Sequence, residues 1–345
     1  MLEKGRLNMV IDGQFGSTGK GVIAGYAAKK HAMDTGEPLD WAITNASPNA
    51  GHTVDYNDGK GKQICFHLPV SALFDKRTSI YLCAGSIINP EILKKEMKTF
   101  GVEPGRIFIH PHAAVVLPEH IEAEGQSDSS ATKIASTQKG VGTALAAKIM
   151  RKGNVAKNDP FLQKMVAEIP VDVMLWNNPE TTVLMEVPQG FNLGVNTGFY
   201  PYTTSREVSV QQALSDVQVN HHYLGSVILS LRTFPIRVGN IVEDGKEIGQ
   251  SGPFFDDSVE TTWEELGFEA ERTTVTQRIR RIATFSMKQY EMATRRLCPT
   301  HVFLNFANYL EPRNLDILLD EINEMRPITH LGFGPTCNDV KEYQA

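Results

Sequence analysis

The chain has 345 residues and a formal net charge of −6, with 41% hydrophobic and 21% charged residues. That composition fits a globular protein with a large core, in one elaborated domain or two. The negative balance excludes a broad basic groove for nucleic acid but leaves room for a local basic cluster. No apolar run approaches the roughly 18 residues needed to span a bilayer, and the N-terminus lacks the layout of a secretory signal. Cys65, Cys83, Cys298 and Cys337 are too scattered for a C-x-x-C zinc site or a disulfide framework. The expectation is a cytoplasmic protein with reduced thiols.

Taken in chain order, the first element is the apolar run LNMVI, which leads into Gly13-Gln14-Phe15-Gly16-Ser17-Thr18-Gly19-Lys20-Gly21 and then a helical pattern over Lys20–Ala32. WAIT follows, then the turn-rich NASPNAGHTV (Asn45–Val54). SIYLC, a helix over Pro90–Phe100 and RIFIH come next. A polar stretch, Glu122–Gly142, reads as a loop, and helices are predicted over Val141–Arg151 and Asp159–Ile169. VDVMLW and TTVLMEV read as strands, the second running into EVPQGFNLGVNTGFYPYTTS (Glu186–Ser205). A helix over Val208–Asp216 precedes the strand GSVILSL. Two further loops, Gly239–Asp257 and the arginine-rich Glu271–Ala283, come before the last strand, THVFLNF. Strands alternating with helices predict an α/β fold, a central, mostly parallel β-sheet flanked by helices with elaborated loops. Ligands then gather at the C-terminal ends of the strands. No linker divides the chain, so residues 1–345 read as a single domain.

Four stretches could carry chemistry, and each also has an ordinary structural reading. Strand, Gly-rich turn, helix is the geometry that aims backbone N–H groups and a helix dipole at an anion. The usual triphosphate loop is G-x-x-x-x-G-K-[ST]. Gly13 to Gly19 is one residue too long for it, and Gly21 stands where a hydroxyl is expected. Alone, the stretch reads equally as a tight βα turn. In NASPNAGHTV, His52 could donate a proton to developing charge, or could be a solvent-facing loop histidine. The segment after Pro188 could read a base or sugar, or be a turn-rich hairpin. Arg278, Arg280 and Arg281 suit capture of a carboxylate or phosphate, or form a solvated face.

In order, these stretches resemble adenylosuccinate synthetase. That family's loop reads G-x-Q-W-G-D-E-G-K-G-K, against GQFGSTGKG here, and its N-A-G-H-T stands intact at Asn49–Thr53. STQKGVGTALAAKIMR resembles its T-T-G-R-G-I-G-P segment. EVPQG and FYPYTTS resemble E-G-A-Q-G and Y-P-Y-V-T-S, TVTQRIRR resembles V-T-T-G-R-x-R-R, and FGPTCND resembles its G-P-x-R block. The likeness runs over almost the whole chain and implies a P-loop-NTPase-like fold, Mg2+, and a homodimer. It also implies a carbon–nitrogen ligase in which a 6-oxopurine nucleotide is phosphorylated on O6 and the amine of L-aspartate then displaces that phosphate. By this resemblance Ser17, His52 and Gln189 are catalytic. Gly16, Thr18, Gly19, Lys20, Gly21, Asn305, Asn308, Gly334 and Pro335 bind the triphosphate. Ser17, Asn49, Ala50, Thr137, Gln138, Arg151, Gln189 and Thr204 hold the purine monophosphate, with Arg151 coming from a neighbouring subunit. Thr276, Arg278 and Arg280 serve aspartate, and Ser17 and Gly51 face the metal.

Two departures from the family pattern bear on the substrate. Ser17 stands where the family has an aspartate that takes the purine N1 proton. A serine is a weak base near neutral pH, but it is smaller and can both donate and accept. It leaves room for an exocyclic amine, which predicts guanine as the 6-oxopurine. In Asn305-Phe306-Ala307-Asn308, an amide replaces the carboxylate of [NT]-K-x-D that reads guanine in the family. An amide matches the adenine edge, which predicts ATP or dATP as donor. Both changes resemble the phage branch that makes the 2-aminoadenine precursor from dGMP, placing the protein in the host cytoplasm. The alternatives are a synthetase acting on IMP and a catalytically inactive nucleotide-binding module.

Overall fold

A computed structural model describes residues 1–55, 62–126, 129–273 and 276–344. Its centre is a nine-stranded sheet whose strands we number in chain order: β1 (Arg6–Asp12), β2 (Trp41–Thr44), β3 (Ser79–Leu82), β4 (Ile107–Ile109), β5 (Thr182–Glu186), β6 (Leu224–Arg232), β7 (His301–Asn305), β8 (His330–Gly332) and β9 (Val340–Glu342). Their spatial order is β9-β8-β7-β6-β1-β5-β2-β3-β4. All neighbours run parallel except β9, which pairs antiparallel with β8 at one edge. The α/β fold with a mostly parallel sheet is therefore as predicted.

The helices are α1 (Lys20–Thr35), α2 (Pro90–Phe100), α3 (Pro118–Gly125), α4 (Ser130–Lys133), α5 (Val141–Ile149), α6 (Val171–Asn177), α7 (Val210–Val217), α8 (Met287–Leu297) and α9 (Pro312–Asn323). Helices α1, α2 and α6–α9 cover both faces of the sheet, which is why its central strands read as continuous apolar runs. Alternation along β1 divides the core. Leu7, Met9 and Ile11 join one cluster with Leu214, Tyr290, Leu297 and Leu319, from α7, α8 and α9. Val10 points the other way, onto Ile23 and Ala27 of α1 with Leu184, Ile228 and Phe303. No helix among the described residues is long and apolar enough to cross a membrane.

Two predicted elements differ. VDVMLW is helix α6, not a strand: Val171 and Leu175, four apart, are buried, while Val173 and Trp176 are exposed. The β-branched content hid this amphipathic helix. Asp159–Ile169 is not an α-helix but a turn followed by the 3-10 segment Leu162–Met165. The Asp159 carboxylate caps a first turn by accepting from the N–H groups of Phe161 and Leu162, each at 2.9 Å, and the segment ends where Ala167 donates its N–H to the Ile109 carbonyl of β4 at 3.0 Å. The long loops are partly built. Residues 122–142 carry the end of α3 and all of α4, and residues 239–257 hold a hairpin of Ile241–Glu243 with Lys246–Gly249. Thr274 and Val275 of the arginine-rich stretch lie outside the described residues.

Buried carboxylates fix the loops that matter for ligands. Glu186, at the end of β5 and 4% exposed, accepts from the N–H groups of Val70 (3.0 Å) and Ser71 (2.7 Å) and from the Ser71 hydroxyl (2.7 Å). Burial alone raises its pKa, and the three donors and the Lys20 charge oppose that rise. Glu186→Ala should orphan three donors, at about 1–3 kcal/mol for each one left buried and unpaired. Urea denaturation should therefore show a lower midpoint, and an unchanged midpoint would refute this role.

Candidate active site

The site lies where the sheet geometry predicts, at the C-terminal ends of β1, β2, β5, β6, β7 and β8. A cavity of about 590 Å³ opens there. Its first wall is the loop after β1, organised by Asp12. The Asp12 carboxylate is fully buried and accepts from the N–H groups of Gln14 (2.8 Å) and Gly16 (3.3 Å), the Thr18 hydroxyl (2.5 Å) and the Lys20 ammonium (3.0 Å). A buried charge is tolerated only when paired and hydrogen-bonded in this way. Lys20 Nζ also donates to the Gln189 carbonyl at 2.8 Å, tying this loop to the one after β5.

The two loops touch backbone to backbone. A Cβ on Gly190 would sit 2.2 Å from the Gly16 nitrogen and 2.5 Å from the Gln14 carbonyl oxygen, so only glycine allows the approach. Ser17 is held at φ 55, the left-handed region, between Gly16 (φ 89) and Gly19 (φ 90). Ser17 is exposed to the cavity, and its carbonyl accepts from Arg232 Nη1 at 3.1 Å.

The loop after β2 contributes a polar relay. The Ser47 hydroxyl donates to Asn49 Oδ1 at 2.7 Å, and Gln189 Nε2 donates to the same oxygen at 2.9 Å. Arg206 Nη2 donates to Ser47 Oγ at 3.2 Å from behind. His52 opens the short strand His52–Val54, which pairs with Gln63–Cys65. Burial and the nearby Lys20 charge push its pKa down to about 3. Near neutral pH it is therefore a neutral hydrogen-bond donor, not a cation.

The opposite wall is a cluster around Glu271. Arg232 pairs with it through two nitrogens, at 2.8 and 3.3 Å, and Tyr309 donates its hydroxyl at 3.2 Å. The positive neighbours hold the Glu271 pKa below its usual value despite burial. Arg280 lines the cavity beside this cluster, and burial lowers its guanidinium to about 10.

Most of the residues expected from sequence meet here. Gly16, Ser17, Gly19, Lys20 and Gly21 line the cavity on one side, with Asn49, Ala50, Gly51 and His52 next to them. Thr137, Gln189 and Arg280 line it further round, and Asn305, Asn308, Gly334 and Pro335 close the far end. Within that group Asn305 and Asn308 differ. Asn305 is buried and spends its amide on the Thr18 carbonyl at 2.7 Å, while Asn308 is exposed.

Six expected residues are not on the wall. Thr18 is turned inward onto Asp12. Gln138 donates to Thr132 Oγ1 at 2.8 Å, and the Thr204 N–H donates to the Leu193 carbonyl at 2.7 Å. Arg278 donates to the carbonyls of Ala135 (2.8 Å) and Ser136 (3.0 Å) and, through Nε, to Thr276 Oγ1 (3.0 Å). Thr276 in turn meets Thr273 at 2.6 Å. Arg151 is exposed beyond the end of α5. Sequence reasoning missed Asp12, Arg232, Glu271 and Tyr309. The available signal was position: Asp12 and Arg232 are charged residues that close apolar strands at the ligand edge of the sheet.

Comparison with known proteins follows the same geometry. The adenylosuccinate synthetase family model matches residues 9–165 and 154–314. The chain is 37% identical to the N6-succino-2-amino-2'-deoxyadenylate synthase of Salmonella phage PMBT28, over 97% of each chain. It is 30% identical to the adenylosuccinate synthetase of Methanosphaera stadtmanae, over 96% of each. Among solved structures, the succinoaminodeoxyadenylate synthetase of cyanophage S-2L, bound to dGMP and to dATP as an energy donor, superposes with a TM-score of 0.86. That match has 34% identity and covers 100% of this chain and 97% of the other.

The depressed His52 pKa has a definite sign. Its unfolded value near 6.5 exceeds the folded value, so the stability it contributes is present above pH 6.5 and is lost as pH falls toward 3. In histidine NMR of the free protein, the His52 ring should remain neutral down to pH 5. A titration midpoint near 6.5 would contradict this. Gly190→Ala should force the two loops apart and weaken binding of a non-hydrolysable triphosphate at least tenfold by calorimetry.

Proposed function

Because this chain belongs to the adenylosuccinate synthetase family, we propose that it joins L-aspartate to C6 of dGMP, with ATP or dATP as phosphoryl donor. The product is 2-amino-2'-deoxy-N6-succinyladenylate, released with ADP (or dADP) and phosphate, for synthesis of 2-aminoadenine DNA. The family's reaction is carbon–nitrogen bond formation, and the relatives named above support its phage variant.

The observation that carries this reading is Ser17. It sits on the cavity wall at the position of the family's aspartate, with its backbone pinned from behind by Arg232. A carboxylate there would accept from purine N1–H and crowd a 2-amino group. A hydroxyl is smaller and can accept from that amine. At the far end, exposed Asn308 is the candidate reader of the donor base, since Asn305 is buried and donates its amide nitrogen to the Thr18 carbonyl. Its amide can pair with the N1 and N6–H₂ edge of adenine.

In the reaction, O6 takes the γ-phosphoryl and the aspartate amine then adds at C6. The C6–O bond breaks, and oxygen leaves as phosphate. Lys20 stands at the turn where the triphosphate would lie and would exchange its bond to the Gln189 carbonyl for a phosphate oxygen. His52 would donate its N–H to the charge growing on O6, and an arriving phosphate would offset the effect of Lys20 on its pKa. Gln189 and Asn49, locked to each other, would seat the purine nucleotide. Arg280 would meet a carboxylate of aspartate. Thr137 and the exposed Arg151 would hold the monophosphate, with Arg151 acting across a homodimer in which exposed Ile149 and Met150 lie beside it.

Among the described residues no three His, Cys, Asp or Glu side chains gather as a metal site. Ser17 and Gly51 both line the cavity and offer hard oxygens, which suits Mg2+ held mainly by substrate phosphates. When bound, Mg2+ would neutralise charge on the triphosphate.

Incubation with ATP, Mg2+, aspartate and either dGMP or IMP should give succinylated product from dGMP. Turnover of IMP alone would overturn the proposal. Ser17→Asp should lower kcat/KM for dGMP at least tenfold. Asn308→Asp should shift donor preference from ATP toward GTP, and an unchanged preference would remove Asn308 from base recognition.

A further inference from the structure

Arg232 is among the largest fully buried side chains of the protein, and none of the chemistry above requires it to touch a substrate. Its contacts form a closed ring. Its guanidinium lies over the Phe306 ring, 4.0 Å from the centroid. Phe306 meets Tyr309 edge-on at 5.3 Å, Tyr309 donates to Glu271, and Glu271 pairs with Arg232. From this ring one nitrogen, Nη1, reaches out to the carbonyl of Ser17. The Arg232 backbone is clamped as well: its N–H donates to Gln14 Oε1 at 3.0 Å and its carbonyl accepts from Gln14 Nε2 at 3.1 Å.

Phe306 lines the cavity beside Asn308, the proposed reader of the donor base, and Ser17 lies on the wall proposed for the purine. One guanidinium therefore touches the lining of both. We propose that Arg232 is a positioning residue that couples occupancy of the donor-base end to the orientation of Ser17. This rests on the functional reading above.

The switching element is Ser17 itself. A non-glycine residue at positive φ is strained, by roughly 1 kcal/mol or more, and persists only where its surroundings over-determine it. The hydrogen bond from Arg232 is the side-chain contact that holds its carbonyl in that state. A base packed against Phe306 would fix the ring on which the guanidinium lies. That in turn would favour the arrangement in which Nη1 reaches Ser17. The donor nucleotide thus binds best to the form that presents Ser17 to the purine, and by linkage the purine favours donor binding by the same factor. Lysine could keep the charge but could not both stack on the ring and pair with Glu271 through two nitrogens.

The test is calorimetric titration of dGMP with and without a non-hydrolysable ATP analogue. In the wild-type protein the analogue should tighten dGMP binding at least fivefold. In Phe306→Leu and Arg232→Lys the factor should fall below twofold. Each variant is titrated at an analogue concentration that saturates it, fixed by a separate titration of the analogue alone, so that lost coupling is read apart from weaker donor binding. Coupling retained in both variants, or absent from the wild type, would overturn the proposal. Phe306 is only partly buried, so its variant decides the matter if Arg232→Lys does not fold. Should dGMP fail to bind the wild type, the functional reading falls, and the same titration with IMP reads the coupling separately.

Discussion

The buried carboxylate of Asp12 is the constraint on which the site depends. It sits at the end of a strand that is paired on both edges and packed on both faces. From that fixed point it gathers two backbone N–H groups, a hydroxyl and an ammonium. The loop therefore closes around a charge inside the protein before any anion arrives outside it. The extra residue relative to the usual triphosphate loop is accommodated by left-handed backbone at Gly16, Ser17 and Gly19. The same curvature that compensates Asp12 turns Ser17 toward the cavity.

From this loop the order of the site spreads by shared groups. Lys20 ties the turn to the Gln189 carbonyl, Gln189 ties to Asn49, and Asn49 ties back through Ser47 to Arg206. On the other side Arg232 links Ser17 to Glu271 and Phe306. Each link satisfies a polar group that burial would otherwise leave expensive. The geometry a reaction needs is thereby held by the energetics of folding, before substrate supplies any binding energy.

The fold was largely legible in the chain. Apolar strands such as LNMVI and TTVLMEV are long, buried on both faces and punctuated by turn residues. The failures were short: seven residues of α6 carry too few turns to reveal their period, and the segment after Asp159 is drawn out of helix by pairing with Ile109 of β4, a long-range contact. In the site, residues within contiguous motifs were legible: Ser17, Lys20, His52 and Gln189 all line one cavity. Residues that act by pairing across the fold were not. Glu271 is 39 positions from Arg232, and nothing in either neighbourhood names the other.

By itself the sequence determined the strand–loop–helix framework, because periodicity and turn residues are local, and its resemblance to a family marked the ligand-facing motifs and the serine that stands for that family's aspartate. Only the tertiary structure decided which polar side chains are free to meet a ligand. Asn305 and Asn308 look alike in the chain, yet one is buried with its amide nitrogen on the Thr18 carbonyl and the other is exposed. Arg278 and Arg280 look alike, yet one is spent on backbone carbonyls and the other lines the cavity. The physical reason is that a hydrogen-bonding group is claimed by whatever lies within about 3 Å of it. Only packing brings distant residues that close.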